Sequence, residues 1–215
     1  MILMAVKDIF RAFAVFNELG HHVYGTDRES NHAYGDAYEA IIDRTFGSGI
    51  VTVPMGYGDR TCLGADPDQR CGRARVKLMM EVGVADGNSL LAWRQVFPNA
   101  VIVGLDHNAT AFGATVIDRV EFHLGDCRVQ RHCEMAAYGR DFDLIVDDAS
   151  HQIGDIFMAL LWLWPFVRPG GLYVIEDLPS QLCHRFASMV GGEVIDTTGP
   201  FGGNEPLIVL RKPPR

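Results

Sequence analysis

Two acid clusters in this 215-residue chain have the residue types and spacing for chemistry. One is Asp147-Asp148-Ala149-Ser150-His151 and the other is Glu176-Asp177, and each follows an apolar run that reads as a strand, residues 142–146 and 172–175. Neighbouring strands of a parallel sheet lie about 4.8 Å apart, so four carboxylates and an imidazole are expected to converge on one rim. Like charges that close raise one another's pKa values and strain the fold unless something positive neutralises them. A hard divalent cation does this, and all-oxygen donors select Mg²⁺, Ca²⁺ or Mn²⁺ over zinc. His151, within a helical turn of Asp148, is the candidate general base. The plainer alternative is that Asp148 or Ser150 caps a helix starting near Ile153 and His151 sits on its exposed first turn. Capping explains neither the acidic doublet nor the pair opposite.

A second constellation is Glu81-Val-Gly83-Val-Ala-Asp86-Gly87-Asn-Ser89, a glycine-bearing turn between a strand and a helix. Ligands of parallel sheets bind beyond such strand ends. A dinucleotide would need G-x-G-x-x-G spacing, but Ala85 takes the second glycine position and Asp86 puts a negative charge where phosphates would lie. An acid at the strand end and another in the turn suit a cationic ligand without phosphate, for which S-adenosylmethionine is the common candidate. Asp106 then falls where ribose hydroxyls need an acceptor, and Asp126, after the third strand, where an adenine amino group could be met.

The elements that must position these residues follow from periodicity. Runs at 77–82, 101–105, 120–124, 142–146 and 172–175 alternate with helical stretches, which predicts βαβ units and a doubly wound, mostly parallel, Rossmann-like sheet of α/β class. Ile153, Ile156, Phe157, Leu160, Leu161 and Trp164 form a helical stripe, with Pro169-Gly170-Gly171 predicted to end it. Runs at 193–197 and 207–211 with no helix between them predict a terminal antiparallel hairpin, giving a seven-stranded sheet. Upstream, residues 1–46 read as a helical lid segment. It comprises a helix through Leu19, a loop-rich stretch at 20–39 and a short helix at 34–43. Residues 47–75 read as a glycine-rich insertion and 76–215 as the core of one compact domain. The apolar face of the first helix is expected to pack on its own domain, with a homo-oligomer interface as the alternative.

A net charge of −8 disfavours nucleic acid and anionic membranes as partners. Charged residues interrupt the N-terminal apolar run, so neither a signal peptide nor a membrane span is expected there. Five cysteines, an odd number without a CxxC pair, point to the cytoplasm. Cys62 and Cys71 read as free loop thiols rather than a zinc site.

On these motifs the chain resembles class I S-adenosylmethionine-dependent methyltransferases, specifically the metal-dependent sugar O-methyltransferases of macrolide and other glycosylated natural-product pathways. The strings that carry the resemblance are Gly25-Thr-Asp27 with His32, Tyr34, Tyr38 and Glu39; Glu81 to Gly87; Trp93 with Phe97-Pro98-Asn99-Ala100; Gly104-Leu-Asp106; Asp147 to His151; and Pro169 to Asp177. The resemblance implies Mg²⁺ ligation by Asp148, Glu176 and Asp177, His151 as base, and a small-molecule glycoside as acceptor. The expected cofactor set is Glu81, Gly83, Asp86, Gly87, Ser89, Asp106, Asp126 and Asp147, with Asp27, His32 and Tyr34 near cofactor or acceptor. Two departures touch acceptor recognition: residues 46–75 are longer than the family's usual connection, and the auxiliary N-terminal domain of some members is expected to be absent. A methyltransferase of catechols or other vicinal diols is the alternative enzyme. A non-catalytic cofactor-binding protein or an aminopropyl-type transferase is the alternative of another kind.

Overall fold

The computed structural model describes residues 5–16, 22–25, 28, 32, 34–47, 72–108, 117–197 and 206–215. The expectations placed on Asp27, Cys62, Cys71 and most of the 47–75 insertion lie outside these residues.

Seven strands form one sheet in the order β5-β4-β3-β6-β7-β9-β8. They are β3 (Leu78–Val82), β4 (Val101–Asp106), β5 (Val120–Leu124), β6 (Phe142–Asp147), β7 (Val167–Ile175), β8 (Glu193–Ile195) and β9 (Leu207–Arg211). Strands β3 to β7 pair in parallel, while β9 inserts between β7 and β8 and runs antiparallel to both. The predicted hairpin is therefore present, with its second strand innermost. The chain winds outward from β3 through β4 to β5, then returns to place β6 on the other side of β3. That reversal opens a crevice at the strands' carboxyl ends.

Alternation along the strands splits the core in two. Met79, Ile102, Leu144, Val146, Leu172 and Val174 face α1 (Val6–Ala12), α2 (Tyr34–Phe46) and α4 (Asn88–Val96). Met80, Val103, Leu105, Ile145, Tyr173 and Ile175 face α5 (Gln130–Ala137), α6 (Ile153–Leu163) and α7 (Ser180–Val190). A single turn, α3 (Gly72–Arg75), precedes β3.

Three local expectations are corrected. The first helix ends at Ala12 rather than Leu19, because β1 (Ala14–Phe16) pairs antiparallel with β2 (His22–Gly25), itself inside the stretch read as loop. Aromatic and β-branched residues in that run favour the pleated pairing over another helical turn. The helix read as 34–43 continues to Phe46. Helix α6 stops at Leu163, ahead of a 3₁₀ turn at Trp164–Phe166, and β7 runs straight through Pro169-Gly-Gly. Pro165 ends the helix, since it cannot donate to the preceding turn.

The apolar face of α1 is occupied by its own chain. Val6, Ile9 and Phe10 are buried, and Phe10 meets Tyr38 and Trp93 edge-on at centroid distances of 6.1 and 5.0 Å. Among the described residues, no helix is long and apolar enough to cross a membrane.

Candidate active site

The alternation that divides the core also divides the acids. Glu81 lies on the α1, α2 and α4 side of β3, and Glu176, one residue past β7, falls on that same side. Asp147, last in β6, points the other way. Four carboxylates therefore do not share one rim as the strand spacing alone suggested, because adjacent residues of an extended chain face opposite sides of the sheet. Asp147 is buried, accepts a hydrogen bond from the Tyr173 hydroxyl at 2.8 Å through Oδ2, and among the described residues has no partner at Oδ1. Burial is the chief cause that lifts its carboxyl to about 7.

On the first side the neutralising charge is a guanidinium. Arg28, 2% exposed, donates from Nη2 to Oε1 of Glu81 at 2.6 Å and to Oδ2 of Asp148 at 2.9 Å, and from Nε to Oε1 of Glu176 at 2.9 Å. Its Cζ sits 5.4 Å from the ring centroid of Trp93 and 6.0 Å from that of Phe10. Glu176 accepts a further short hydrogen bond from the Tyr38 hydroxyl. Glu81 accepts from Ser89 Oγ at 2.7 Å and Trp93 Nε1 at 3.4 Å. Burial still pushes Glu81 and Glu176 upward against the pull of Arg28, since one guanidinium serves three carboxylates.

Outside this buried knot lies a half-exposed one. Asp148, His151 and Asp177 each offer a ligand atom, all within 4.8 Å of one another. His151 Nε2 is 3.2 Å from Asp148 Oδ1 and 3.9 Å from Asp177 Oδ2. The bond to Asp148 is the chief cause raising the imidazole pKa. Asp177 accepts from the Tyr34 hydroxyl at 2.5 Å, and His32 Nδ1 lies 3.6 Å from the same oxygen while stacking on Tyr34 at 5.0 Å. Burial, then repulsion from Asp148, raise the Asp177 carboxyl. His151 and Asp177 have φ of 56° and 55°, a left-handed backbone that costs non-glycine residues energy and that clusters at functional sites. Two carboxylates at this spacing suit a divalent cation, and the excess of carboxylate over guanidinium leaves negative charge for one to balance.

Next to this cluster is a cleft of ≈ 290 Å³ lined by Gly83, Asp106, Asp126, Cys127, Ala149 and Ser150, among others. It brings together three of the residues predicted for the cofactor. Asp106 Oδ2 accepts from Val84 N at 2.7 Å and Ala85 N at 3.0 Å, so it holds the glycine turn in shape. Asp126 is gripped by Arg128, which lowers its carboxyl to about 2. Gly83, at φ 84°, passes so close to the β6 loop that a Cβ there would lie 2.1 Å from the Asp148 carbonyl oxygen. Gly87 is the N-cap of α4 at φ 82°, and Asp86 Oδ1 accepts from Asn88 N at 3.1 Å. These two, with Glu81 and Ser89, build the turn from outside the cleft lining, and Asp147 lies under the opposite face.

Arg28, Tyr38 and Tyr173 hold the site's acids yet were not among the predicted site residues. A signal existed for the first: Arg28 is the one Lys or Arg between Arg11 and Arg44, and it directly follows the Gly25-Thr-Asp27 string. Tyr173 shares the inward face of Ile175 and Ile145, which period-2 counting from Asp147 would have reached.

Residues 80–178 match the family described as a methyltransferase domain. Mycinamicin VI 2''-O-methyltransferase of Micromonospora griseorubida is 35% identical over 122 residues, covering 52% of this chain and 29% of that protein. Demethylmacrocin O-methyltransferase of Streptomyces fradiae is 35% identical over 109 residues, 46% of this chain and 27% of that protein. The chain thus spans less than a third of the length of either relative. The MycE methyltransferase from the mycinamycin biosynthetic pathway, solved in complex with Mg, SAH and mycinamycin VI, superposes with a TM-score of 0.57 at 22% identity, over 85% of this chain and 39% of that one. At that identity the likeness is one of fold. Residues 80–178 thus match a methyltransferase domain, and the fold is shared with a solved methyltransferase.

Proposed function

We propose that the chain is an S-adenosylmethionine-dependent O-methyltransferase that methylates a sugar hydroxyl of a glycosylated natural product, with Mg²⁺ and with His151 as base. The observation that carries this reading is the adjacency of cleft and cluster: Ala149 and Ser150 line the cleft and are flanked in sequence by Asp148 and His151. The name of a further relative, 8-demethyl-8-alpha-L-rhamnosyl tetracenomycin-C 2'-O-methyltransferase of Streptomyces olivaceus, supports a sugar as the acceptor class.

Asp148 and Asp177 would hold the cation, with Glu176 behind them. When bound, the cation supplies acidification of an acceptor hydroxyl and S-adenosylmethionine supplies the electrophilic methyl group. His151 removes the hydroxyl proton, and the Asp148 carboxylate, whose Oδ1 lies 3.2 Å from Nε2, stabilises the protonated ring. Tyr34 and His32 fix the Asp177 carboxylate through its Oδ1. Asp106 holds the glycine turn so that backbone, not side chain, faces the cofactor at Gly83. Positioning of nucleophile and methyl group supplies most of the acceleration.

The test is methyl transfer from S-adenosylmethionine to a panel of glycosides and catechols, followed by mass spectrometry. Transfer is expected to glycosides, to cease with chelator, and to fall about 10²- to 10⁴-fold in His151→Ala while SAH binding persists. Transfer indifferent to chelator would refute the metal, full activity in His151→Ala would refute the base, and transfer to catechols alone would move the substrate class.

A further inference from the structure

The Arg28 guanidinium touches the ends of three strands and takes one oxygen from each carboxylate it meets. The remaining oxygen of Glu81, Oε2, is turned onto Ser89. The remaining oxygen of Asp148, Oδ1, is turned toward His151. Neutralising Glu81 and Glu176, both buried, is a task any stable arrangement of the core would require. The third bond is not: Asp148 is 20% exposed and could be solvated instead.

We propose that Arg28 is the positioning residue of the cation centre, holding Oδ2 of Asp148 and Oε1 of Glu176 so that Oδ1 of Asp148 faces His151 and Asp177. This rests on the reading of the Asp148, His151 and Asp177 cluster as a cation site. The guanidinium suits the task because its donors lie in one rigid plane, and the rings of Trp93 and Phe10 set where that plane lies. An ammonium at the same place is a point charge that cannot span three carboxylates from one position. Such a residue acts on the metal only through the ligand it orients, and losing such a partner typically weakens metal affinity by about 10- to 100-fold.

The experiment compares wild type, Arg28→Lys and a destabilised control, Phe97→Leu, whose ring stacks on Trp93 at 5.7 Å without touching the acids. Mn²⁺ binding is titrated by the paramagnetic resonance of the free ion with SAH present, SAH binding by calorimetry without metal, and folding by circular dichroism. Arg28→Lys is expected to weaken Mn²⁺ by about tenfold or more while SAH affinity changes much less, and Phe97→Leu to lower the melting temperature without the selective loss of Mn²⁺. Unchanged Mn²⁺ affinity in Arg28→Lys overturns the proposal, as does a parallel loss of both ligands in the two variants. Should Arg28→Lys not fold, Arg28→Lys/Glu81→Gln is compared with Glu81→Gln, and the same selective loss is expected. A wild type that binds SAH but not Mn²⁺ overturns the cation reading and this inference with it. One that binds neither overturns the methyltransferase reading as well.

Discussion

The close approach of the β3 turn to the β6 loop gives the sharpest handle on the site. Gly83→Ala places a Cβ 2.1 Å from the Asp148 carbonyl oxygen and 2.6 Å from Ala149 Cα, and both are backbone atoms that no side-chain rotation can move aside. The left-handed φ of 84° adds its own cost, about 1–2 kcal/mol for a residue with a Cβ. Overpacking adds about 1–3 kcal/mol, and the stiffer unfolded chain returns about 0.4–1 kcal/mol. The sum is a loss of about 1–5 kcal/mol, which for a chain of this size lowers Tm on the order of 2–20 °C. The relaxation has a direction, because the Asp148–Ala149 loop must retreat and Ala149 lines the cleft. SAH affinity should therefore fall together with stability. Gly154→Ala is the matched control: it lies in α6, an added Cβ meets nothing within 4 Å, and the helix should gain about 0.5–1 kcal/mol. Urea unfolding followed by tryptophan fluorescence, with SAH calorimetry beside it, reads both. A Gly83→Ala protein as stable as wild type and binding SAH as well would refute the packing of turn on loop, and with it the link between cleft and cation cluster.

Two further outcomes follow from single contacts. Tyr173→Phe removes the donor to Oδ2 of Asp147 and leaves a buried carboxyl with less to hold it, which should cost about 1–3 kcal/mol by urea unfolding; an unchanged midpoint would mean that Asp147 finds another donor. Arg128→Gln releases Asp126, whose carboxyl the pair holds at about 2 against an ordinary 3.8. A depressed carboxylate stabilises the fold above its ordinary pKa, and this contribution is lost as pH falls toward 2. The NMR titration midpoint of Asp126 should therefore return toward 3.8 in the variant, and a midpoint that stays low would assign the depression to something other than Arg128.

The sheet was legible because its strands are short apolar runs separated by helical stretches, and the positions of Glu81, Asp106 and Glu176 at or just beyond strand ends follow from those runs directly. What was not legible depends on direction and distance. The Asp147-Asp148 doublet reads as one acidic patch, but a pleated backbone sends its members to opposite sides, one to Tyr173 and one to Arg28. Arg28 lies 53, 120 and 148 residues from Glu81, Asp148 and Glu176, in a stretch whose glycines and histidines carry no periodic signal. The end of α6 was legible in principle, since Pro165 precedes Pro169 and breaks a helix by the same physics.

The missing arginine also changes the charge argument drawn from the sequence. Clustered carboxylates on their own call for a metal, but a metal dissociates and a buried guanidinium does not. Breaking a buried ion pair by removing one partner costs about 3–5 kcal/mol, so a fold whose acids were balanced by Mg²⁺ alone would be at risk whenever the ion left. Arg28 pairs with two of the buried acids, Glu81 and Glu176. Asp148 and Asp177, which keep some exposure, are the ones left with charge to offer. The division follows burial: the permanent cation lies where water cannot reach, and the exchangeable one is called for at the edge, where an acceptor hydroxyl can also arrive.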